Sequence, residues 1–465
     1  MALEKILTTD VANDGRIKIN NMVDELVAVK STNTTIQGNV SALETKLATT
    51  SSQNTVGSVV YRPSGFSLTG TNLDNRIFTD GNIFWTDYNV SESKAVFGAT
   101  YYVDPINGSN ANAGTKEAPM QSIKAAYDKS DVGTIMLKGG NHFRYNSTWL
   151  TTVSKNINII GYDGTPKLIM ADKLTFVKNG TYGNVYEASR AGVGNVVDIS
   201  KPFDNGYKPY KKVTSIADVN ATIYTWYSDG TKVYVNSGGV PDSNNVVGLL
   251  ISENIKLTGT MTYFYIENCE VIGGARPFRS EAESCKVYAI NTKFIHSAQT
   301  NGNGVEIVGG DRAIFQNCVA SHNYMDGFNY HKGLVNSTIP YFIEIDCIGS
   351  NNGSGKGTAG SQSNNGSTAH DGVKGIRVNG TYAHNDGGNV ADVNAGTETW
   401  NLGVTGFESY QTSDFQTTTG AKMWLDNCKG FGSTNSIESV NAEDRIYIRR
   451  GEYVRTSIAG VEVVY

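Results

Sequence analysis

Hydrophobic positions in the first tenth of the chain follow a three-four spacing. Ile19, Met22, Leu26, Val29, Ile36, Val40, Leu43 and Leu47 form one seam, broken only by Asn33. Such a seam over four heptads predicts a coiled coil. Ile19, Leu26, Asn33, Val40 and Leu47 fall at a; Met22, Val29, Ile36 and Leu43 fall at d. The β-branched Val29 and Ile36 at d lean towards three strands, and a buried Asn33 would fix register. A single amphipathic helix packed on its own domain is the plainer alternative. The expected stem and polar linker occupy residues 1–57, and short alternating runs predict a small β neck over 58–98.

From residue 99 the pattern changes to short strands separated by Gly and Asn. The segment YYVDPINGSNANAGTKEAPMQSIKAAY predicts a strand, a loop and a short helix with Ile123, Ala126 and Tyr127 on one face. Such a helix can cover the open first coil of a stacked structure. Further on, Asn268-Cys269, Asn317-Cys318, Asp346-Cys347 and Asn427-Cys428 share a polar-then-small step inside apolar strands. With Thr292, Gly380 and Val404 they define a column at 269, 292, 318, 347, 380, 404 and 428. Its intervals of 23 to 33 residues are those of a β-solenoid. Coils stack ~4.8 Å apart, so the column would span roughly 29 Å. Four residues further, Gly273, His296, His322, Asn351, His384, Glu408 and Gly432 form a second column, three of them His. Stacked polar side chains at a turn are its bland explanation. The solenoid body is expected over 99–440 with an insertion at 200–250, a flexible Gly/Ser-rich loop at 353–367, and C-terminal strands over 441–465.

Composition sharpens this picture. Only 39% of residues are hydrophobic, while 51 are Gly and 46 Asn. Gly and Asn are poor helix formers, which excludes a large helical enzyme. Aromatics at 10% and a net charge of -5 exclude disorder. No basic run points to nucleic acid, and no apolar run reaches the ~18 residues of a membrane span. No apolar stretch near the N-terminus predicts a secretory signal. The five Cys lack paired short spacings, so neither a disulfide framework nor a metal site is expected. No nucleotide fingerprint is present and no cofactor is expected.

Candidate chemistry lies in NGNGVEIV (301–308), YMDGFNYHK (324–332) and TAHDGVKGI (368–376). Aligning their Asn/Asp-Gly steps stacks Asn303, Asp326 and Asp371, then Glu306, Asn329 and Lys374 one outward position on, with His331 and His370 nearby. Carboxyls on adjacent coils would lie about 5 Å apart, as in retaining glycosidases; Glu306 and Asp371, two coils apart, would approach the ~9–10 Å of an inverting pair. Closely spaced carboxylates push one pKa up, separating acid from base. A lyase would instead use Lys374, Arg377 or His370 as base. Asp-Gly is also ordinary turn chemistry, and that alternative stands beside the catalytic one. Trp226, Tyr227, Tyr330, Trp400 and Trp424 are candidate platforms for sugar rings, with Asn329, Arg377 and His384 as polar contacts.

The YYVDP strand, Gly-rich loop and P..SI..A helix, together with the solenoid spacing, resemble right-handed parallel β-helix proteins, especially polysaccharide lyases and phage tailspikes. The resemblance covers roughly residues 100–440. It implies an all-β, single-stranded parallel β-helix behind an N-terminal trimeric coiled coil, in a homotrimeric receptor-binding protein of a phage tail. Such a protein joins the tail or baseplate through its N-terminus. It binds a bacterial surface polysaccharide or teichoic-acid-like polymer and depolymerises it, by hydrolysis sooner than by β-elimination. Neither nucleic acid nor membrane insertion is implied. A non-catalytic adhesin of the virion is the alternative. A secreted bacterial lyase is disfavoured by the expected lack of an export signal. The chain departs from many tailspikes in ending on strands without a separate C-terminal domain.

Overall fold

The computed structural model describes residues 57–144, 152–353, 364–454 and 456–464. The predicted coiled-coil seam and most of the Gly/Ser-rich loop lie outside the described residues. What is described is an all-β solenoid of three parallel sheets. One coil shows the pattern: Ile255–Leu257 lies in the third sheet, Tyr263–Glu267 in the first, Glu270–Ile272 in the second, and Phe278–Ser280 returns to the third, directly beside Ile255–Leu257. The third sheet runs through ten strands, from Thr152–Val153 to Thr456–Ile458. Arg445–Tyr453 and Val461–Val464 continue the same parallel stacking, so the C-terminal strands belong to the solenoid.

The two predicted columns follow from backbone chemistry. Register pairs put residues 269, 292, 318, 347, 380, 404 and 428 in line, and the second column likewise. Asn268, Asn291, Asn317, Asp346, Asn379 and Asn427, each preceding the first column, all have φ between 50° and 55°. His296, His322, Asn351, His384 and Glu408 have φ between 53° and 60°. Each coil therefore turns two corners in left-handed conformation, where Asn is the least strained residue after Gly. Just past the second corner, buried Asn323, Asn352 and Asn385 hydrogen-bond in series: Asn323 Nδ2 donates to Asn352 Oδ1 (3.0 Å) and Asn352 Nδ2 to Asn385 Oδ1 (2.9 Å). This ladder satisfies turn amides that stacking would otherwise bury unpaired.

The predicted opening helix is Ile123–Tyr127, capped by Ser122, with Ile123, Ala126 and Tyr127 buried against the core. Two segments clothe the solenoid. Residues 58–98, expected as a neck, lie along the outward side of the first sheet. Phe66, Leu68, Ile77 and Phe84 pack there on Tyr265, Ile314, Ile376, Trp400 and Trp424. The insertion is longer than the expected 200–250. It includes Val177–Lys178, Tyr186–Ser189 and Val193–Phe203 and covers part of the second sheet, with Val197, Tyr207 and Leu249 on Ile272 and Ile295.

Candidate functional site

The outward positions of the third sheet are set by alternation. Val305 and Ile307 point into the core, so Glu306 points out; Phe328 and Tyr330 point in, so Asn329 and His331 point out. Register then places Lys256, Arg279, Glu306, Asn329 and Thr368 in one outward column.

At one end of this strip six charges interlock. Glu306 Oε2 meets Arg276 Nε at 2.5 Å and Arg279 Nε at 3.1 Å. Arg276 also meets Glu253 (2.9 Å), Arg279 meets Glu281 (2.6 Å), and Lys256 meets Glu281 (2.6 Å). Three cations face three carboxylates, so the web is close to neutral. Burial pushes the Glu306 carboxyl above its usual range, against the lowering pull of Arg276 and Arg279. The five other members of this web escaped sequence reasoning. Arg279 and Lys256 could have been found by running the Glu306 column backwards through Phe278-Arg279-Ser280 and Ile255-Lys256-Leu257.

Two residues along, at the corner leading to the first sheet, His331 Nδ1 lies 3.1 Å from Asp371 Oδ2. The His331 ring stacks on His370 at 4.3 Å, with a 6° angle between planes. His331 and Asp371 remain accessible, with side-chain exposures of 31% and 38%. Burial holds His370 down to about 3, so it is neutral and serves as a flat support for His331. With Nδ1–H donating to Asp371, Nε2 of His331 becomes the basic nitrogen. His331 is also close enough to act electrostatically on Glu306 and Asp326.

The stacking of Asp326 on Asp371 is corrected. Phe328 pairs with Ser367, so the neighbour of Asp326 is Asn365, and Asp371 lies six residues on, beside Asn394. Asp371-Gly372 is a corner with φ of 58° and 86°, a different turn from the Asp326-Gly327 step. Asp326 is fully buried: its carboxylate accepts from Asn365 N (2.7 Å) and Asn329 Nδ2 (2.5 Å). Burial raises its pKa. Asn329 is buried with it, so this pair supports the strip from behind.

Lys374 belongs to the first sheet, between Tyr341 and Glu398, and binds Ser67 and Glu398 under the neck. Trp400 lies beneath the same segment, 6.0 Å from Phe66. Tyr330 and Arg377 point inside the solenoid and offer no surface. Arg377 meets Asp392 at 3.3 Å and Glu344 at 3.9 Å; Tyr330 and Tyr382 both donate to Glu344. Trp226 is buried within the insertion, while half-buried Tyr227 stacks on Tyr234. His384 remains part-exposed, 3.3 Å from Glu408 at its own corner. The geometry thus brings Glu306, His331, His370 and Asp371 together, backed by Asp326 and Asn329, and leaves the remaining candidates elsewhere. Among the described residues no group of three His, Cys, Asp or Glu side chains could hold a metal ion.

No protein-family model matches the chain, and no curated protein matches it. Among solved structures it is similar to XylC in complex with xylose, at 11% identity over 79% of this chain and 70% of that one, with a TM-score of 0.42. It is similar to pectate lyase Pel9A at 14% identity, covering 77% of each chain, with a TM-score of 0.40. The tailspike protein gp49 from Pseudomonas phage LKA1 is similar at 11% identity over 74% of this chain and 73% of that chain, with a TM-score of 0.20.

Proposed function

We propose that this protein binds a bacterial surface polysaccharide along its third sheet and cleaves it by hydrolysis, as a homotrimeric, tailspike-type receptor-binding protein joined to a phage tail through its N-terminal seam. The observation that carries the catalytic part is the exposed His331–Asp371 pair on the same outward strip as Glu306. His331 Nε2, oriented by Asp371, takes a proton from water as it attacks the anomeric carbon. Glu306, whose proton affinity is raised by burial, delivers a proton to the departing glycosidic oxygen. The near-neutral web of Lys256, Arg276, Arg279 and their carboxylates gives this end of the strip donors and acceptors for hydroxyl-rich units. In a β-elimination variant, the same His331 would remove the proton beside a uronate carboxylate as the C=C bond forms and the C4–O bond breaks, with Glu306 protonating the departing oxygen.

Size-exclusion chromatography of envelope polysaccharides incubated with the protein tests this. His331→Ala should slow chain shortening by roughly 100-fold or more, with polymer binding retained. Shortening at the wild-type rate by both His331→Ala and Asp371→Asn would remove the pair from the mechanism. The ion pairs of Glu306 favour a second reading, a non-catalytic adhesin, because they stabilise its charged form. Intact polymer after incubation with wild-type protein supports that reading. Sedimentation equilibrium of the full chain and of Ile36→Asp tests the trimer: the variant should dissociate.

A further inference from the structure

The insertion is fastened to the solenoid at the His column. Its strands Val193–Phe203 and Gly206–Pro209 form a hairpin, with Asp204 and Asn205 at the tip. The tip lies against the second corner of three successive coils. Tyr207 N–H donates to His296 Nε2 (3.0 Å), the Phe203 ring sits 5.7 Å from the His322 ring, and Asn205 Nδ2 donates to Ser350 Oγ (2.9 Å). The His296 and His322 rings stack at 5.0 Å, with 6° between planes. Gly206 lies so close to both that an added Cβ would stand 2.6 Å from His322 Cδ2 and 2.8 Å from His296 Nε2. His296 is fully buried.

A ring nitrogen that accepts a hydrogen bond carries no proton, so the docked hairpin requires neutral His296 with its hydrogen on Nδ1. We propose that this hairpin is an acid-released clasp: a proton taken from solvent by His296 Nε2 sets N–H against the Tyr207 N–H and frees the tip from the corners. Burial holds the proton affinity of docked His296 well below the usual imidazole range, and the charge of His322 lowers it further. The other titratable groups around the contact are Lys167, Glu270 and Lys293 on the second sheet, Tyr324 beside His322, and Asp204 and Lys208 on the hairpin. Glu270 is held by Lys293 (3.2 Å) and by the Tyr207 hydroxyl, and Lys167 lies over the Tyr207 ring (4.5 Å). Lys208 lies over the Phe203 ring (4.7 Å), and the Tyr324 hydroxyl donates to Gly194 O (3.1 Å). None of them supplies His296 with a counter-charge. Once undocked, the imidazole titrates at its ordinary 6.5. Docking is therefore full above that pH and weakens about tenfold for each pH unit below it. Val197 and Leu249 keep the rest of the insertion on Ile272 and Ile295, so release is confined to the tip. No residue of the third-sheet strip takes part, and the clasp does not rest on the function proposed for that strip.

Hydrogen exchange of the full chain tests the clasp, read by mass spectrometry on peptides covering 203–209 and 263–267 and corrected for the intrinsic pH dependence of amide exchange. From roughly pH 6.5 down to roughly pH 4.5, protection of 203–209 should fall about tenfold per pH unit. The peptide 263–267, a strand of the first sheet, should stay protected. His296→Gln, whose Oε1 accepts a hydrogen bond without titrating, should hold the protection of 203–209 constant over the same range. Glu270→Gln should leave the wild-type fall in place, which separates His296 from the carboxylate that binds the Tyr207 hydroxyl. Where His296→Gln fails to fold, the wild-type and Glu270→Gln profiles decide the matter. Constant protection of 203–209 in the wild type, an equal fall in 263–267, an unchanged fall in His296→Gln, or loss of the fall in Glu270→Gln would overturn the proposal.

Discussion

Two charge clusters occupy nearby coils, one inside the solenoid and one outside. Inside, Arg377 is enclosed with Glu344 and Asp392, and Tyr330, Tyr382, Ser367 and Thr399 donate to the carboxylates. Outside, Glu306 is shared by Arg276 and Arg279 at a surface they only partly leave. Both are built from Arg and carboxylates, yet only the second can meet a polymer. What separates them is the parity of a residue on its strand, not its chemistry. The first sheet is apolar on both faces over most coils, with Phe264 and Phe315 inward and Ile376 and Val378 outward under the neck; Arg377, between the latter two, points inward.

The contrast can be broken by mutation. Arg377→Met should cost about 3–5 kcal/mol in equilibrium denaturation, because Glu344 and Asp392 would be left buried without their cation. A loss no larger than that of an outside variant would show that the enclosed network is not a buried ion cluster in solution.

A further enclosed carboxylate sharpens the point. Asp414 is held by Asn389 Nδ2 (2.9 Å) and Ser433 Oγ (2.5 Å), both uncharged, and burial raises its pKa to about 7. A carboxyl whose folded pKa exceeds its unfolded value of 3.8 binds an extra proton when folded. Its contribution is full below about pH 4 and lost as pH rises through about 7, by at most roughly 4 kcal/mol. The thermal-midpoint difference between wild type and Asp414→Asn should therefore move in favour of the variant between pH 4 and 8. A difference constant with pH would show that Asp414 titrates normally.

The smallest effect is expected outside. Glu306→Gln should cost about 1–3 kcal/mol, less than Arg377→Met, since Arg276 keeps Glu253 and Arg279 keeps Glu281. A loss comparable to that of Arg377→Met would place Glu306 with the structural charges.

These same features decide what could be read from the residues alone. The Cys and His columns were legible because left-handed corners recur at fixed steps, Asn or Asp marking the first corner in most coils and His recurring at the second, and the small residue beside the first fits the core. The third-sheet register was misread because Asp326-Gly327 and Asp371-Gly372 look alike but serve different corners. Arg377, Trp400 and Lys374 were misplaced because nothing local reveals that residues 58–98 cover the first sheet. Covering makes the outward face of that sheet apolar as well. The Glu306 web went unnoticed because Arg276 and Arg279 precede it by a whole coil.

The neck also carries a consequence for the order of assembly. Its partners lie far along the chain: Asn82 O accepts from Asn427 Nδ2 (2.6 Å), and Gly81 O from Arg450 Nη1 (2.5 Å). Residues near the beginning are synthesised first, yet their seat is finished only when the last coils exist. Closing loops of this length is entropically slow, whereas each coil needs only its immediate predecessor. The neck can therefore complete all of its contacts only once the coils around Asn427 and Arg450 are in place.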